Sequence, residues 1–194
     1  MRQLITMTQK SVICLEPDSG KMLWSYPHVT PNDQNITTPI FHEGHVFVSS
    51  GHLAGSCVLR INDDLHGVTE VWSRKQLDNC HGGVILAHGL LFGSACRIGG
   101  KTFFCADFYT GQTRQADASF EKLSLTYADG MLYALSHRGK VQLLAISPEG
   151  YRLLSQFKLP RDGRDDCLTH PVVCGGRLYI RDAETLYAYD VSDR

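Results

Sequence analysis

A short hairpin signature recurs four times along the chain, and it limits what the chain can fold into more than any other feature. The copies are Pro39-Ile40-Phe41-His42-Glu43-Gly44-His45-Val46-Phe47-Val48, Val84-Ile85-Leu86-Ala87-His88-Gly89-Leu90-Leu91-Phe92-Gly93, Leu125-Thr126-Tyr127-Ala128-Asp129-Gly130-Met131-Leu132-Tyr133-Ala134 and Pro171-Val172-Val173-Cys174-Gly175-Gly176-Arg177-Leu178-Tyr179-Ile180. The aligned glycines 44, 89, 130 and 176 are spaced by 45, 41 and 46 residues. Each copy is an apolar strand, a two-residue turn ending in glycine, and a second apolar strand. Glycine tolerates the positive φ that such tight turns demand. A third strand follows each hairpin, at residues 56–61, 102–107, 141–146 and 185–190. A fourth is expected at 69–72, 113–116 and 151–157. No stretch sustains a 3.6-residue apolar period, so almost no helix is expected.

The unit is a four-stranded antiparallel meander. Among solenoids, sandwiches and propellers, a meander repeated at about 40–50 residues is the propeller pattern. The predicted fold is therefore all-β, a β-propeller spanning residues 1–194. A partial blade at 1–30 lacks its first strand. Blades at 35–76, 80–117 and 122–159 are complete, and a partial blade at 167–194 lacks its last strand. A propeller must close its ring to protect its edges. Two arrangements are open: the partial blades complete each other in a ring of about four, or the chain is the C-terminal half of a roughly eight-bladed protein. The entry at a second strand favours the half-propeller. Unpaired blade edges would then favour self-association.

Composition excludes other classes. Hydrophobic residues make up 43 % and charged residues 20 %, an ordinary globular balance. A formal net charge of -1 gives no general attraction to nucleic acid or anionic lipid. No apolar run approaches the roughly 20 residues of a spanning helix, and the N-terminus does not read as a signal peptide. Seven cysteines without a Cys-x-x-Cys pair argue against a disulfide framework or a structural zinc site. Cys96 and Cys105 flank Ile98-Gly99-Gly100-Lys101 symmetrically. They are expected to be two buried thiols, with a bridge between them as the alternative.

The turn between third and fourth strands carries a family resemblance. Cys14-Leu15-Glu16-Pro17-Asp18-Ser19-Gly20-Lys21-Met22-Leu23-Trp24 resembles the tryptophan-docking motif of quinoprotein-type propellers, in which a turn precedes a Trp that wedges between blades. Partial copies are Asn62-Asp63-Asp64-Leu65-His66-Gly67 before Trp72, with one residue inserted, and Ala106-Asp107-Phe108-Tyr109-Thr110-Gly111 with Gln115 at the Trp position. In Ala145-Ile146-Ser147-Pro148-Glu149-Gly150, Leu154 stands there. The chain is thus similar to the PQQ-like repeat superfamily, which includes quinoprotein alcohol dehydrogenases and the outer-membrane assembly lipoprotein. The resemblance implies structural docking roles for Trp24, Trp72, Asp18, Gly20, Gly67, Asp107 and Gly111, and a periplasmic or extracellular setting. It does not carry the quinone site. This chain has no adjacent cysteines and both tryptophans stand at docking positions. Neither PQQ nor calcium is expected to bind it.

Ligands of propellers collect where loops enter the innermost strands. Asp78-Asn79-Cys80-His81-Gly82-Gly83 and Asp165-Asp166-Cys167-Leu168-Thr169-His170-Pro171 are the matching segments. Their side chains include metal-ligand types, which makes Asp78, His81 and His170 candidate ligands of an axial metal. The competing reading takes them as polar residues capping strand ends. Phe41, His42 and His45 surround a turn that should leave the imidazoles in solvent. Arg161-Asp162-Gly163-Arg164-Asp165-Asp166 reads as a solvated loop, and Asn35-Ile36-Thr37 fits an N-glycosylation sequon. No nucleophile elbow, phosphate loop or His-Glu-x-x-His is present. These features favour a non-catalytic binding or scaffold module, with a protein or peptide as the expected partner. The alternatives are the propeller portion of a quinoprotein-like oxidoreductase, or a metal- or sugar-binding extracellular module.

Overall fold

The computed structural model describes residues 2–30, 35–52, 54–96, 103–161, 163 and 165–192. Among them there are strands, turns and loops but no helix. Five antiparallel sheets follow one another along the chain. Sheet 1 holds β1 (Leu4–Met7), β2 (Ser11–Leu15) and β3 (Met22–Pro27). Sheet 2 holds β4 (Ile40–His42), β5 (His45–Ser50), β6 (Gly55–Ile61) and β7 (Val68–Arg74). Sheet 3 holds β8 (Val84–Ala87), β9 (Leu90–Ser94), β10 (Phe103–Asp107) and β11 (Thr113–Asp117). Sheet 4 holds β12 (Leu123–Ala128), β13 (Met131–Ser136), β14 (Lys140–Ser147) and β15 (Gly150–Lys158). Sheet 5 holds β16 (Val172–Cys174), β17 (Arg177–Asp182) and β18 (Thr185–Asp190).

The fold is the propeller that the repeat predicts, with its strands in meander order. Local chemistry explains the regularity. In all four hairpins both central turn residues have positive φ: Glu43 and Gly44, His88 and Gly89, Asp129 and Gly130, Gly175 and Gly176. That is the type I′ geometry, whose twist matches the flanking strands and fixes register. His42 consequently sits opposite His45, and Ala128 opposite Met131. Every pairing of a third with a fourth strand carries a register shift, for example between Cys14 and Leu15 and between Cys105 and Ala106. Such shifts locally increase right-handed twist.

The core is divided among the spaces between consecutive sheets. Val12, Cys14 and Trp24 meet Val46, Val48 and Leu59 between sheets 1 and 2. Phe47, Val58 and Trp72 meet Leu91, Phe104 and Phe108 between sheets 2 and 3. Phe92, Phe103 and Cys105 meet Leu123, Leu132 and Leu144 between sheets 3 and 4. Tyr133, Leu135 and Val141 meet Leu178 and Ile180 between sheets 4 and 5. Adjacent residues of β5, Val46 and Phe47, serve opposite interfaces. Both faces of the middle sheets are therefore buried, which is why their second strands are apolar without alternation. Each large side chain so enclosed contributes about 1.5–3 kcal/mol.

Two expectations are corrected. Sheets 1 and 5 are separate three-stranded sheets and do not complete each other, which removes the ring of about four blades. Of the two buried thiols expected at Cys96 and Cys105, only Cys105, on β10, is free; Cys96 is bonded to Cys80, so neither a free Cys96 nor the alternative Cys96–Cys105 bridge holds. The loop before β8 brings Cys80 to the end of β9, whereas β10 directs Cys105 into the sheet 3–sheet 4 core. The intervening turn at 98–101 lies outside the described residues.

Candidate functional site

The loops entering β4, β8 and β16, together with Leu125 of β12, line a cavity of about 470 Å³. Its walls include Thr37, Thr38, His81, Gly82, Gly83 and His170. The structure thus brings His81 and His170 to one space. Burial is the main force lowering the His81 pKa, and the nearby positive charge of Lys122 adds to it. The ring is therefore neutral near pH 7. His170 Nδ1 lies 3.3 Å from the Leu125 carbonyl, and its Cε1 would meet a Cβ added to Gly83 at 3.4 Å. Gly82 is required by close approach. Its φ is +81°, and a Cβ there would strike the Leu123 carbonyl oxygen at 1.9 Å.

Asp78 does not join the two imidazoles as an acceptor facing the cavity. It is fully buried, and its Oδ1 accepts the Cys96 N–H at 2.9 Å. Asn79 is equally buried. Its amide donates to the Ser94 carbonyl at 3.0 Å, and its Oδ1 accepts from Thr37 at 2.9 Å. Asp78, Asn79 and the Cys80–Cys96 bond therefore brace the loop that presents His81. Among the described residues no group of three or more His, Cys, Asp and Glu is placed to hold a metal.

The docking turns show how the blades are locked together. Trp72 is buried, and its Nε1 donates to the Phe108 carbonyl of the next blade at 2.8 Å. Asp107 shapes that turn: its Oδ1 accepts from the Tyr109 and Thr110 N–H groups at 3.1 and 3.0 Å. Gly111, with φ +65°, lets the Trp72 ring lie where a Cβ would come within 2.7 Å of it. Trp24 is also buried, but its Nε1 has no hydrogen-bond partner. The turn that it faces carries the inserted residue. There the left-handed residue is Leu65, at φ +63°, and not Gly67, so the turn is reshaped.

In sheet 1, Gly20 takes the left-handed conformation (φ +71°) at the position of Gly111. Asp18 does not shape this turn. It is exposed and pairs with Arg2 at 3.0 Å, while Glu16 occupies the position equivalent to Asp107 and accepts from the Ser19 hydroxyl. Gln115 stands where sheet 3 would carry its Trp, and it docks by another means. Its amide accepts the Tyr151 N–H at 3.0 Å and donates to the Tyr151 carbonyl at 3.2 Å, reproducing a strand-like pair across the blade boundary.

Other surface features also depart from the sequence reading. His42 and His45 are half-buried and not free in solvent. Their rings pack against Phe108 at 5.3 Å and Tyr109 at 5.4 Å, because the next blade's docking turn reaches over them. Arg161 is not a solvated charge. It forms a two-point ion pair with Asp182 at 2.7 and 3.0 Å, with both side chains more than nine-tenths buried. Asp162 and Arg164 of the same charged loop lie outside the described residues. The sequon residue Asn35 commits its side-chain nitrogen to the carbonyls of Thr8, Gln9 and His28 at 2.9–3.1 Å. Sequence reasoning places Gln115 at the Trp position but assigns it no docking role; that position is the one signal that could have found it.

On the turn side, sheets 1 and 2 enclose an apolar groove of about 520 Å³. Gln3 and Ile5 form one wall, Pro39 and Phe41 the other, and Val46 and Ile61 lie between. Phe41 is 62 % exposed.

Comparison with known proteins accords with this architecture. Residues 2–117 match the sequence profile of a family described as outer membrane protein assembly factor BamB. The chain belongs to this family. Two solved structures share the fold across 96 % of the chain. The crystal structure of BamB from Moraxella catarrhalis has a TM-score of 0.65 and 13 % identity, and the computationally designed Ika8 protein has a TM-score of 0.61 and 12 % identity. The chain spans 53 % and 57 % of those two chains respectively, about half of each. No curated protein matches the sequence. No helix among the described residues is long and apolar enough to cross a membrane.

Proposed function

We propose that the chain is a non-catalytic scaffold that binds a protein partner. The observation that carries this reading is the open apolar groove between sheets 1 and 2, with Phe41 exposed on its wall. Interaction surfaces favour aromatic anchors set in concave apolar ground. The rigid frame behind it suits the same role. Blade-to-blade docking through Trp72 and Gln115 fixes sheets 2, 3 and 4 to one another, and Trp24 packs into the core between sheets 1 and 2. Membership of a family named for an outer membrane assembly factor supports a protein as the partner class.

The reading is tested by placing a photo-activatable cross-linking residue at Phe41, at Tyr109 and at Phe157 in turn, in cells producing the chain. A discrete protein adduct, with one partner identified by mass spectrometry at Phe41 and Tyr109, is the expected result. Absence of protein adducts at all three positions would refute the scaffold assignment.

A further inference from the structure

The Cys80–Cys96 bond occupies a place that the blade itself creates. The two residues stand nine before and seven after the hairpin glycine Gly89. In the next blade Glu121 and His137 stand nine before and seven after Gly130. Their side chains meet at 3.9 Å with no covalent bond between them. The fold therefore brings the loop entering a blade to the end of that blade's second strand. In sheet 3 hydrogen bonds hold the same two segments. Asp78 accepts the Cys96 N–H at 2.9 Å, and Asn79 donates to the Ser94 carbonyl at 3.0 Å. Gly51 makes room for the sulfurs, since a Cβ there would strike the Cys80 Cβ and come within 3.1 Å of the Cys96 Sγ. Cleavage of the bond leaves these braces standing, so the two thiols stay neighbours.

A third metal-binding atom lies beside them. His81 Nδ1 is 3.8 Å from the Cys80 Sγ. Tetrahedral zinc holds sulfur at about 2.3 Å and imidazole nitrogen at about 2.0–2.1 Å. Those lengths set two thiolates about 3.8 Å apart, and a thiolate and a ring nitrogen about 3.6 Å apart. The Cys80–His81 separation is already close to that value. The two sulfurs, carried on Cα atoms 5.6 Å apart, reach theirs by side-chain rotation. While bonded to each other, neither can serve as a thiolate ligand.

We propose that reduction of the Cys80–Cys96 bond creates a zinc site, with both thiolates and His81 Nδ1 as ligands and water in the fourth position. This goes beyond the scaffold reading and does not depend on it. It keeps His81 from the axial metal expected from the sequence, but makes Asp78 a brace for Cys96 and does not call on His170. A dithiol reductant supplies the two electrons. One of its thiolates attacks the Sγ of Cys80, the less buried partner, the S–S bond breaks and Cys96 leaves as a thiolate. The second thiol of the reductant then displaces Cys80 and closes the reductant's own disulfide. The two freed thiols give up their protons to solvent on taking the ion. The loop before β8 is thus clamped by the disulfide when oxidised and by the metal when reduced, and is loose only when reduced and metal-free.

The test uses the full chain carrying Cys174→Ser, which removes the exposed thiol. Cobalt(II) and then zinc are added to the oxidised protein, and to protein reduced with dithiothreitol and desalted under argon. The reduced protein is expected to take up one cobalt ion with thiolate-to-cobalt absorption in the near ultraviolet, which zinc abolishes. The oxidised protein is expected to show no such band. His81→Ala is expected to weaken zinc binding at least about tenfold, the least that loss of even an outer contact of a metal site costs. Cys96→Ser should weaken it further. No cobalt–thiolate band in the reduced protein, or an equal band in the oxidised one, would overturn the proposal. So would affinity unchanged by His81→Ala, or uptake that survives the Cys80→Ser/Cys96→Ser pair. A reduced protein that loses its near-ultraviolet circular dichroism and does not regain it with zinc would also overturn it, since the braces would then fail to hold the thiols together.

Discussion

Gln115 shows how a single side chain can take over the work of a much larger one. Where Trp72 docks with one N–H donor and a broad apolar ring, Gln115 docks with a donor and an acceptor aimed at one backbone unit, that of Tyr151. Replacing it with alanine strands both Tyr151 groups at a part-buried boundary. Gln115→Ala is expected to lower stability by about 1–3 kcal/mol, read from urea unfolding. Gln115→Glu keeps the acceptor but sets a carboxylate against the Tyr151 carbonyl, and should recover only part of that loss. An unchanged midpoint in the alanine variant would contradict the docking role. This pair also marks a limit of sequence reading. The Trp position was recognisable by its spacing, but a glutamine there gives no sign of which backbone it will meet. The turn carboxylate is likewise Glu16 and not Asp18: it stands four residues before Gly20, as Asp107 stands before Gly111, a spacing that the choice of the aspartate by residue type overlooked.

Among the elements, the loop before β8 is the most heavily braced. The Cys80–Cys96 bond spans 16 residues of sequence and packs against Gly51, where a Cβ would lie 2.4 Å from that of Cys80. Closing a loop of that size contributes about 3 kcal/mol through the unfolded chain. The Cys80→Ser/Cys96→Ser pair of substitutions is expected to cost about that much, and to speed amide exchange at residues 81–83 ahead of the rest of the blade. Equal stability of the variant and the oxidised protein would sink the expectation. The other buried thiols offer little competition for exchange. Burial pushes Cys57 up to about 12 and Cys105 up to about 11, so both stay protonated. Hairpins and strand order were legible from the sequence because turn glycines and apolar runs are local signals. The disulfide was not, because Cys80 and Cys96 meet only after β8 and β9 have paired.

At the scale of the whole molecule, acid should weaken the fold well before its carboxylates titrate. His28 is buried, its Nε2 lies 3.0 Å from the Ser50 hydroxyl, and burial lowers its pKa. His81 is shifted the same way, chiefly by burial. For such groups the unfolded imidazole takes up a proton near pH 6.5 while the folded one resists. Stability is therefore complete above about pH 6.5 and falls below it, by at most about 1.4 kcal/mol per pH unit for each group. The melting temperature should drop between about pH 7 and pH 5.5, and His28→Gln should flatten that slope. A slope identical in the variant would exclude His28 as a contributor. Carboxylates held low by their partners, such as Asp182 beside Arg161 and Asp107 in its turn, lose their contribution only at lower pH.

The division of the core into four separate inter-sheet layers has a mechanical consequence. Each blade is anchored only by the one before and the one after, so the molecule behaves as a short one-dimensional lattice of coupled units. Sheets 2, 3 and 4 are each held from both sides by the sheets beside them, and sheet 3, which carries the braced loop and both kinds of docking contact, is expected to be the last of the three to yield to heat.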